Sequence, residues 1–465
     1  MMGQLPAAQN ALFYEFSLER HIPDDHLLRQ IDQLLDFDAI RQHLTPHYSH
    51  TGRPSIDPEL MIRMLLLGYC YGIRSERRLC EEVNFNLAYR WFCRLGLEDA
   101  VPDHSTFSKN RHGRFRDSDL LRYVFNTVVV RCVEEGLVGG EGFAIDASLV
   151  RADANKQRRE YSPVDWTPSK VQNRAVKEYL ELLDQDDAFN RKQKCVSLTD
   201  PMAQWSAAGG SAYFFYSTNY LIDVDNSIIM DVEASPSHRQ LEVATTRTMI
   251  ERVESLHEIR PERLMGDTAY GAADNLHYLV SDKNIEPHIP VWDKRQRKDG
   301  TFSINDFIWC EEKDEYRCPR GKSLCPRQRA LNKSKEGITT DTTIRYRSKV
   351  ADCRHCPLKQ RCCPNTPYRK IARSLFEKSR DVARAISSSD KYFSTSFHDR
   401  KKVEMQFAHM KHHLRFDRLR LRGLRSANDE FLLVATAQNL RRMARLLSQP
   451  PPADRVSASG IQKMT

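Results

Sequence analysis

The sequence predicts an α/β protein in which helices flank a mixed sheet, with an all-α N-terminal region and a small Cys-rich insertion. Apolar residues recur at helical spacing up to about residue 135. From about residue 140, runs rich in β-branched and aromatic residues alternate with helical runs, which is typical of a mixed sheet with helices packed on it. Residues 294–370 break this alternation because they are rich in Lys, Arg, Pro and Cys.

The composition is that of a mildly basic protein. Of the 465 residues, 40% are hydrophobic and 29% are charged, and the formal net charge is +9. The positive charge favours an anionic partner without identifying it. No apolar run approaches the roughly 18 residues that a membrane span needs, and the first residues (MMGQLPAAQN) do not have the pattern of a signal peptide. We therefore expect a cytoplasmic protein without a membrane partner, whose twelve cysteines are thiols or metal ligands rather than disulfides.

The N-terminal region is predicted to consist of short helices. Asp57 followed by Pro58 is typical of a helix start, Ser75 begins a second helix, and a third runs over residues 84–95. Short helices with tight turns are compatible with a helix-turn-helix that contacts phosphates, although a helical bundle with solvated arginines fits the same pattern. The arginines in question are Arg74, Arg77, Arg78, Arg90 and Arg94.

The α/β region begins with the strand GFAIDASLVRA. Two β-rich runs, SAYFFYSTNYLIDV and SIIMDVEAS, flank Asp225 and Asn226, and this pattern predicts a hairpin. The next predicted elements are a helix at Arg239–His257, a strand in RLMGDTAYG, a helix over residues 274–282 and a strand in IEPHIPVW. Helices are predicted again near His398 and from Ser426, where Ser-x-x-Asp is a capping signature.

These patterns divide the chain into five predicted segments. They are a helical N-terminal domain (1–135), the first part of the α/β core (136–293), the Cys-rich insertion (294–370), the C-terminal helices of the core (371–448) and a disordered tail (449–465).

Two aspartates lie at positions where α/β folds usually carry active-site residues. Asp146 is in the middle of a predicted strand, so its carboxylate has to be paired, hydrogen-bonded or bound to a metal. Asp267 follows a second strand, at the end of the sheet where ligands usually bind. Either aspartate alone could equally be a helix cap or an arginine partner. The competing acids are Asp153, Asp223, Asp225 and Asp231, which rank lower because they face the other way or belong to the hairpin.

A helix near the C-terminus supplies a third carboxylate. Arg400, Glu404 and Lys411 fall within an arc of about 60° on this helix. An apolar stripe lies beside them, so the helix can bury one face and present charges along its margin. An ordinary solvated edge with an Arg400–Glu404 ion pair fits the same spacing. The stripe consists of Val403, Phe407, Met410 and Leu414.

At these residues the chain resembles the DDE transposases of bacterial insertion sequences, whose catalytic domain is ribonuclease H-like. IDAS (145–148) is similar to the first aspartate motif, GDTAYG (266–271) to the second, and Arg400-x3-Glu404-x6-Lys411 to the third. The family's third motif usually begins with Tyr three positions before the Arg, where this sequence has Phe397, so the hydroxyl of that Tyr is missing. The helical segment DPELMIRMLLLGYCYGIRSERRLCEEV, the segment VPDHSTFSK and the Cys-rich insertion extend the resemblance over most of the chain.

The resemblance implies a transposase that cleaves DNA at transposon ends and transfers the strand into target DNA. Asp146, Asp267 and Glu404 would hold two Mg²⁺ (or Mn²⁺) ions roughly 3.5–4 Å apart, one at the attacking water or 3′-hydroxyl and one at the leaving oxygen. Arg400 and Lys411 would hold phosphates of the DNA end. The resemblance also implies double-stranded DNA as partner and a homodimer on it. The alternatives are a ribonuclease H-like nuclease without strand transfer and a DNA-binding protein whose catalysis has decayed.

The cysteines of the insertion predict a possible structural zinc site. Cys353 and Cys356 have the x2 spacing that lets two thiolates reach one Zn²⁺, and Cys362 and Cys318 complete a set of four. Free thiols remain the other interpretation. Alternative ligands are Cys310, Cys325, His355 and Cys363.

A basic strip follows the helix that carries Glu404. In LRFDRLRLRGLR (414–425), Arg418, Arg420 and Arg422 share one face if the segment is extended. The strip could follow DNA phosphates or be a solvated edge. Gly321, Lys322 and Ser323 resemble part of a phosphate loop, but Tyr316 stands where the first Gly is required, which excludes an ATP site there.

Overall fold

The structure of the protein is a computed structural model, which describes residues 16–49, 51, 55–185, 194–207, 210–292, 299–326, 342–390 and 392–448. The predicted disordered tail (449–465) lies outside the described residues. The chain divides into two compact units. The first comprises Met1–Gly140, Ala144–Arg260 and Lys401–Thr465, and the second comprises Glu141–Phe143 and Pro261–Arg400.

The first unit begins with the helices that the apolar spacing predicts. They are α1 (Leu18–His21), α2 (Leu27–Gln33), α3 (Phe37–Leu44), α4 (Pro58–Cys70), α5 (Glu76–Phe85), α6 (Leu87–Phe92), α7 (Ser105–His112), α8 (Arg114–Asp117) and α9 (Leu120–Glu134). The predicted caps are confirmed: Asp57 accepts from the N–H of Glu59 at the start of α4, and Ser75 accepts from the N–H of Arg78 at the start of α5. The predicted helix over 84–95 is wrong at both ends because Asn86 caps α6, which therefore starts at Leu87 and ends at Phe92.

The first unit continues into a sheet covered by helices. Its further elements are β1 (Gly142–Arg151, whose first two residues belong to the second unit), β2 (Arg159–Tyr161), α10 (Arg174–Gln185), β3 (Cys195–Ser197), β4 (Gln204–Ser206), β5 (Tyr213–Asp223), β6 (Ile228–Pro236) and α11 (Arg239–His257). β5 pairs antiparallel with β4 and β6, and β1 lies beside it. The predicted hairpin is confirmed, since Asp225 and Asn226 lie in the turn and Asp223 accepts the N–H of Asp225 at 3.1 Å.

The second unit contains the predicted second aspartate, the strand before it and the segment that follows it. Its first elements are β7 (Arg263–Met265), α12 (Ala273–His277) and β8 (Glu286–His288). β7 and β8 pair in parallel, and the N–H of Arg263 donates to the carbonyl of Glu141 (3.1 Å) just before β1. The predicted helix over 274–282 is present as α12 followed by a π-helical turn at Tyr278–Asp282.

The Cys-rich insertion forms a five-stranded antiparallel sheet with an aromatic core of its own. Its elements are β9 (Ile308–Cys310), β10 (Glu315–Arg317), β11 (Ser323–Pro326), β12 (Thr343–Arg347), α13 (Val350–Arg354), α14 (Lys359–Cys362) and β13 (Lys370–Ser374), in the sheet order β13-β12-β11-β10-β9. The last strand thus extends past the predicted boundary at residue 370, and α15 (Glu377–Ser387), which follows it, packs on α12 and β8. Trp309, Tyr316 and Tyr346 pack together with ring centroids 4.8–5.3 Å apart. Phe307, Leu324 and Ile371 are buried in the same cluster, so the insertion has a core of its own.

Two helices complete the chain, α16 (Phe397–His412) and α17 (Leu424–Leu447). In the first unit α17 packs against β6, α9 and α4, so it forms the centre of the core. The predicted start of α17 at Ser426 is wrong: Gly423 is the N-cap, and its N–H donates to buried Asp200 at 3.1 Å. None of the helices in the described ranges is both long and apolar enough to span a membrane.

The predicted fold class is confirmed: the protein is mixed α/β with a helical N-terminal region. This architecture is consistent with a ribonuclease H-like catalytic domain.

Candidate active site

Asp146 lies in the middle of β1, as the sequence predicts. Its neighbours Ala144 and Ile145 are buried, while Asp146 is half-buried, so the strand holds this carboxylate near the protein surface. Its Oδ1 accepts the N–H of Ala147 at 2.8 Å. This bond fixes the side-chain rotamer and leaves the carboxylate on a rigid element, which is what a ligand site needs.

Asp267 comes directly after β7 and is half-buried. Its Oδ1 accepts the N–H of Ala269 at 2.7 Å and caps the single 3₁₀ turn Thr268–Tyr270. Among the described residues no hydrogen bond reaches its second oxygen. The turn is held tightly, since the carbonyl of Gly271 accepts the N–H of Trp292 at 2.9 Å. A Cβ on Gly271 would lie 2.0 Å from the carbonyl oxygen of Pro290, so only glycine fits there.

Glu404 is exposed on α16, and the predicted apolar stripe beside it is buried. Phe407 packs on Tyr220 with ring centroids 5.4 Å apart, and Gln406 donates to the carbonyl of Ser227 at 2.7 Å. These contacts orient the helix so that Glu404 points away from its packed face. The buried stripe consists of Val403, Phe407, Met410 and Leu414.

The cations of the same helix differ in their environment. Arg400 is half-exposed, and Lys411 is half-buried. Burial lowers the pKa of Lys411, and the nearby carboxylate of Asp417 partly opposes this shift. Phe397, at the position of the missing Tyr hydroxyl, is 45% exposed.

The strip after α16 has the predicted alternation: Arg418, Arg420 and Arg422 are exposed, and Leu419 between them is buried. Two of the three arginines have an acidic partner. Arg418 and Arg422 donate to the carboxylate of Asp153 at 2.8 and 3.0 Å.

The competing acids have structural partners. Asp223 accepts the N–H groups of Gly139 and Gly140 at 3.1 and 3.0 Å, and Asp231 is buried between Arg122 and Arg252. Asp153 holds the arginines of the strip. These contacts account for Asp153, Asp223 and Asp231 without a catalytic role, and Asp225 lies in the turn of the hairpin.

The arginines proposed for phosphate contact in the N-terminal region do not behave alike. Arg74 and Arg90 are turned inward: Arg74 pairs with buried Glu430, and Arg90 donates to the carbonyl of Asp99 at 2.7 Å. The expectation that these two are available for phosphates is wrong. Arg77, Arg78 and Arg94 are exposed.

The cysteines predicted to bind zinc line one cavity of about 270 Å³. The N–H of Lys322 points at the Sγ of Cys318 (3.3 Å), in a turn closed by the N–H of Gly321 on the carbonyl of Cys318 (2.7 Å). Burial raises the pKa of Cys362 to about 12, with the neighbouring Cys363 adding to the shift. The cysteines on the cavity are Cys318, Cys353, Cys356, Cys362 and Cys363.

Over the described part of the chain, no group of three or more His, Cys, Asp or Glu side chains is arranged to hold a metal ion. The cysteines therefore share a cavity without forming a ready ligand set. Asp146 and Glu404 belong to the first unit and Asp267 to the second, so the convergence of the three carboxylates stays a prediction.

Two family models match the chain. Residues 16–113 match the model described as Transposase domain (DUF772), and residues 317–444 match the model described as Transposase DDE domain. The chain is a DDE transposase of the insertion-sequence type. The transposase acts on DNA, and DDE domains generally use divalent metal ions such as Mg²⁺.

The matches cover only part of the candidate site. Arg400, Glu404 and Lys411 of the transposase lie within the DDE match, while Asp146 and Asp267 lie outside both matches.

Sequence patterns alone did not predict the environment of Cys318, although a Cys-Pro-x-Gly-Lys turn is a local signal for an N–H directed at sulfur. The buried position of Glu430 was not predicted either, because no local sequence pattern distinguishes a buried ion-pair partner from a surface acid.

Proposed function

We propose that the transposase cleaves DNA at the ends of its element and joins the freed 3′-hydroxyl to target DNA, with Asp146, Asp267 and Glu404 as the ligands of its Mg²⁺ or Mn²⁺ ions. The observation that carries the proposal is Glu404. It is the exposed carboxylate on the packed helix α16, within the segment that matches the DDE domain.

The donor set suits the metal, since carboxylate oxygens together with water and phosphate oxygens are the ligands that Mg²⁺ prefers. Asp146 is fixed on a central strand, and Asp267 is fixed by a capped turn, so two of the three carboxylates are pre-oriented. The bound ions would supply an activated oxygen nucleophile and stabilise the leaving oxygen.

The remaining residues of the site would position DNA. Arg400 would bind a phosphate through two parallel N–H donors, and Lys411 would supply a point charge. Because burial lowers the pKa of Lys411, an approaching phosphate would raise that pKa and strengthen their attraction. Since the two ends of an element have to be paired, we further propose that the protein acts as a homodimer on double-stranded DNA in the cytoplasm.

The test is an in vitro reaction with end-containing DNA, target plasmid and Mg²⁺ or Mn²⁺. Wild type should release the end and join it to the plasmid, and Asp267→Asn and Glu404→Gln should bind the DNA but reduce both products to background. Glu181→Gln, an exposed acid on α10, is the matched control and should react like wild type. Equal activity of Asp267→Asn and wild type would overturn the site assignment.

The same reaction separates the alternatives. Cleavage without joined product would identify a nuclease, and DNA binding without cleavage would identify a protein whose catalysis has decayed.

We also propose that the cysteine cavity holds a structural Zn²⁺. The proposal is supported by the shared cavity and by the N–H that points at Cys318, because such a donor stabilises a thiolate. Cys318, Cys353, Cys356 and Cys362 would be the ligands, and the cavity would have to close to bring them together.

Metal content and Co²⁺ substitution test the zinc proposal. Purified protein should contain one Zn²⁺ per chain, and Co²⁺ should give a thiolate charge-transfer band. Cys356→Ser should lose the band, whereas Cys325→Ser, an exposed cysteine outside the cavity, should keep it. Absence of the band in the wild type would refute the site.

A further inference from the structure

The sheet of the insertion has two faces of opposite character. In β12 and β13 the register places Tyr346 opposite Ile371, and both belong to the buried aromatic core. The residues on either side of them point the other way, because side chains alternate along a strand. There Arg345 lies opposite Ala372, and Arg347 lies opposite Lys370.

The outer face is basic. Arg345 and Lys370 are exposed, and neither they nor Arg347 forms an ion pair with any described carboxylate. The same face continues over β11 through Cys325, which lies opposite Arg347, and onto β10 through Arg317. Among the residues that the structure describes, one acid shares the face, Glu315, and it is paired with Arg317 at 3.4 Å.

The arrangement of the three cations is held by the fold. Arg347 lies over the ring of Tyr368, 3.4 Å from its centroid, and Lys370 approaches the same ring at 5.1 Å. Arg345 and Arg347 are two residues apart on a strand, which spaces their Cα atoms by about 6.6 Å. The two arginines therefore lie side by side on one strand, where both can contact the same stretch of a phosphate backbone.

We propose that the outer face of β12 and β13, formed by Arg345, Arg347 and Lys370, is a second DNA-contact surface that binds the phosphate backbone. The inference rests on the proposed action on DNA, but the surface includes none of the residues of α16 or of the strip at 418–422. Charge complementarity favours DNA over a protein partner, because the described residues of this face include three cations, no unpaired acid and no apolar cluster larger than Ile308 at its edge.

The contact is of the kind that positions DNA rather than reads its sequence. Three phosphate contacts contribute about 0.9 each to the slope of log affinity against log salt. Removing them should therefore reduce the slope by about 2.7 and weaken binding on the order of 100-fold at 0.15 M salt. The loss should be the same for any duplex sequence.

The test measures fluorescence anisotropy of a labelled duplex of arbitrary sequence, titrated with the full-length protein in EDTA over a series of salt concentrations. In the variant R345Q/R347Q/K370Q the slope of log affinity against log salt should be smaller by about 2.7, and binding at 0.15 M salt should be weaker on the order of 100-fold. A matched triple variant, K313Q/R320Q/R354Q, removes three exposed cations of the same insertion that lie off this face and should bind like wild type. The charge-conserving variant R345K/R347K should keep the slope, and it controls for a folding defect.

The outcomes are distinguishable. A triple variant with the slope of wild type, or an equal loss in the matched control, overturns this surface while leaving the proposed function intact. If wild type itself does not bind the duplex, the proposed function fails first. Loss of end cleavage in Asp267→Asn is independent of both results, since binding is measured without divalent ions.

Discussion

Glu430 of α17 and Arg74, which precedes α5, form an ion pair within the first unit whose side chains are 1% and 4% exposed. The other oxygen of Glu430 accepts the N–H groups of Arg420 and Leu421, both at 2.7 Å. The buried carboxylate of Glu430 thus connects α17 to the N-terminal helices through Arg74, and to the basic strip through Arg420 and Leu421.

Replacing Arg74 by Ala should destabilise the protein by about 3–5 kcal/mol, because it leaves Glu430 buried without a counter-charge. The free energy of unfolding in urea is the measurement. R78A removes an exposed arginine that is paired with Glu82 at i,i+4 and should cost less than about 1 kcal/mol. Similar losses in the two variants would mean that the buried pair contributes no more than a surface one.

Asp153→Asn should strengthen DNA binding. Asp153 neutralises Arg418 and Arg422, and removing its charge would release both for phosphates. The slope of log affinity against log salt should become steeper by up to about 1.8, which corresponds to two further contacts. E160Q, which breaks an ion pair with Lys170, is the control and should leave the slope unchanged. An unchanged slope in Asp153→Asn would remove the strip from the DNA interface.

Asp200 should make the stability of the protein decrease between about pH 4 and pH 6. Burial raises the pKa of this carboxyl to about 6, although the hydroxyl of Tyr216 and the N–H of Gly423 oppose the shift. The folded state then holds a proton that the unfolded state has released. The contribution of Asp200 is fully present below the unfolded pKa near 3.8 and is lost as the pH rises through 6.

The full effect of this titration is about 3 kcal/mol, at 1.36 kcal/mol per pKa unit between 3.8 and about 6. Asn at position 200 cannot titrate. The free energy of unfolding of wild type should therefore exceed that of Asp200→Asn at pH 4, and this difference should disappear by pH 7. Urea midpoints measured across this range test it. A difference between wild type and variant that does not change with pH would rule out the buried carboxyl as the cause.

Gly271→Ala should disturb the turn that carries Asp267. Its Cβ would overlap the carbonyl of Pro290 and lie 2.7 Å from the backbone N of Trp292, neither of which can rotate away. Overpacking of this kind typically costs about 1–3 kcal/mol, and end cleavage should fall with it. G96A is the control, since its nearest neighbour is the side-chain carboxylate of Asp99, at 3.1 Å, rather than backbone. Normal cleavage by Gly271→Ala would show that the turn tolerates displacement.

The sequence predicted what is decided locally. The caps at Asp57 and Ser75, the hairpin at Asp225 and the buried stripe of α16 follow from a few adjacent residues. Each depends on hydrogen bonds or periodicity within one element, and for that reason a pattern of residue types was enough.

What the sequence missed depends on distant partners. The start of α17 is set at Gly423 because Asp200, more than 200 residues earlier, accepts its N–H. Arg74 is buried because Glu430 faces it. The core of the insertion was not predicted, because its aromatic rings come from three different strands and arginines alternate with apolar residues along β12. The three active-site carboxylates were predicted from motif order and from their places on a strand, after a strand and on a helix, and their convergence stays a prediction.

The two-faced sheet of the insertion has a consequence for how such a protein can change over generations. Its folding depends on the inward rings of Trp309, Tyr316 and Tyr346, while its outward residues contribute little to that core. Substitutions on the outer face can therefore accumulate without a threshold loss of stability. Through this face, a transposable element could change the DNA affinity of its transposase without changing the fold or the active-site carboxylates.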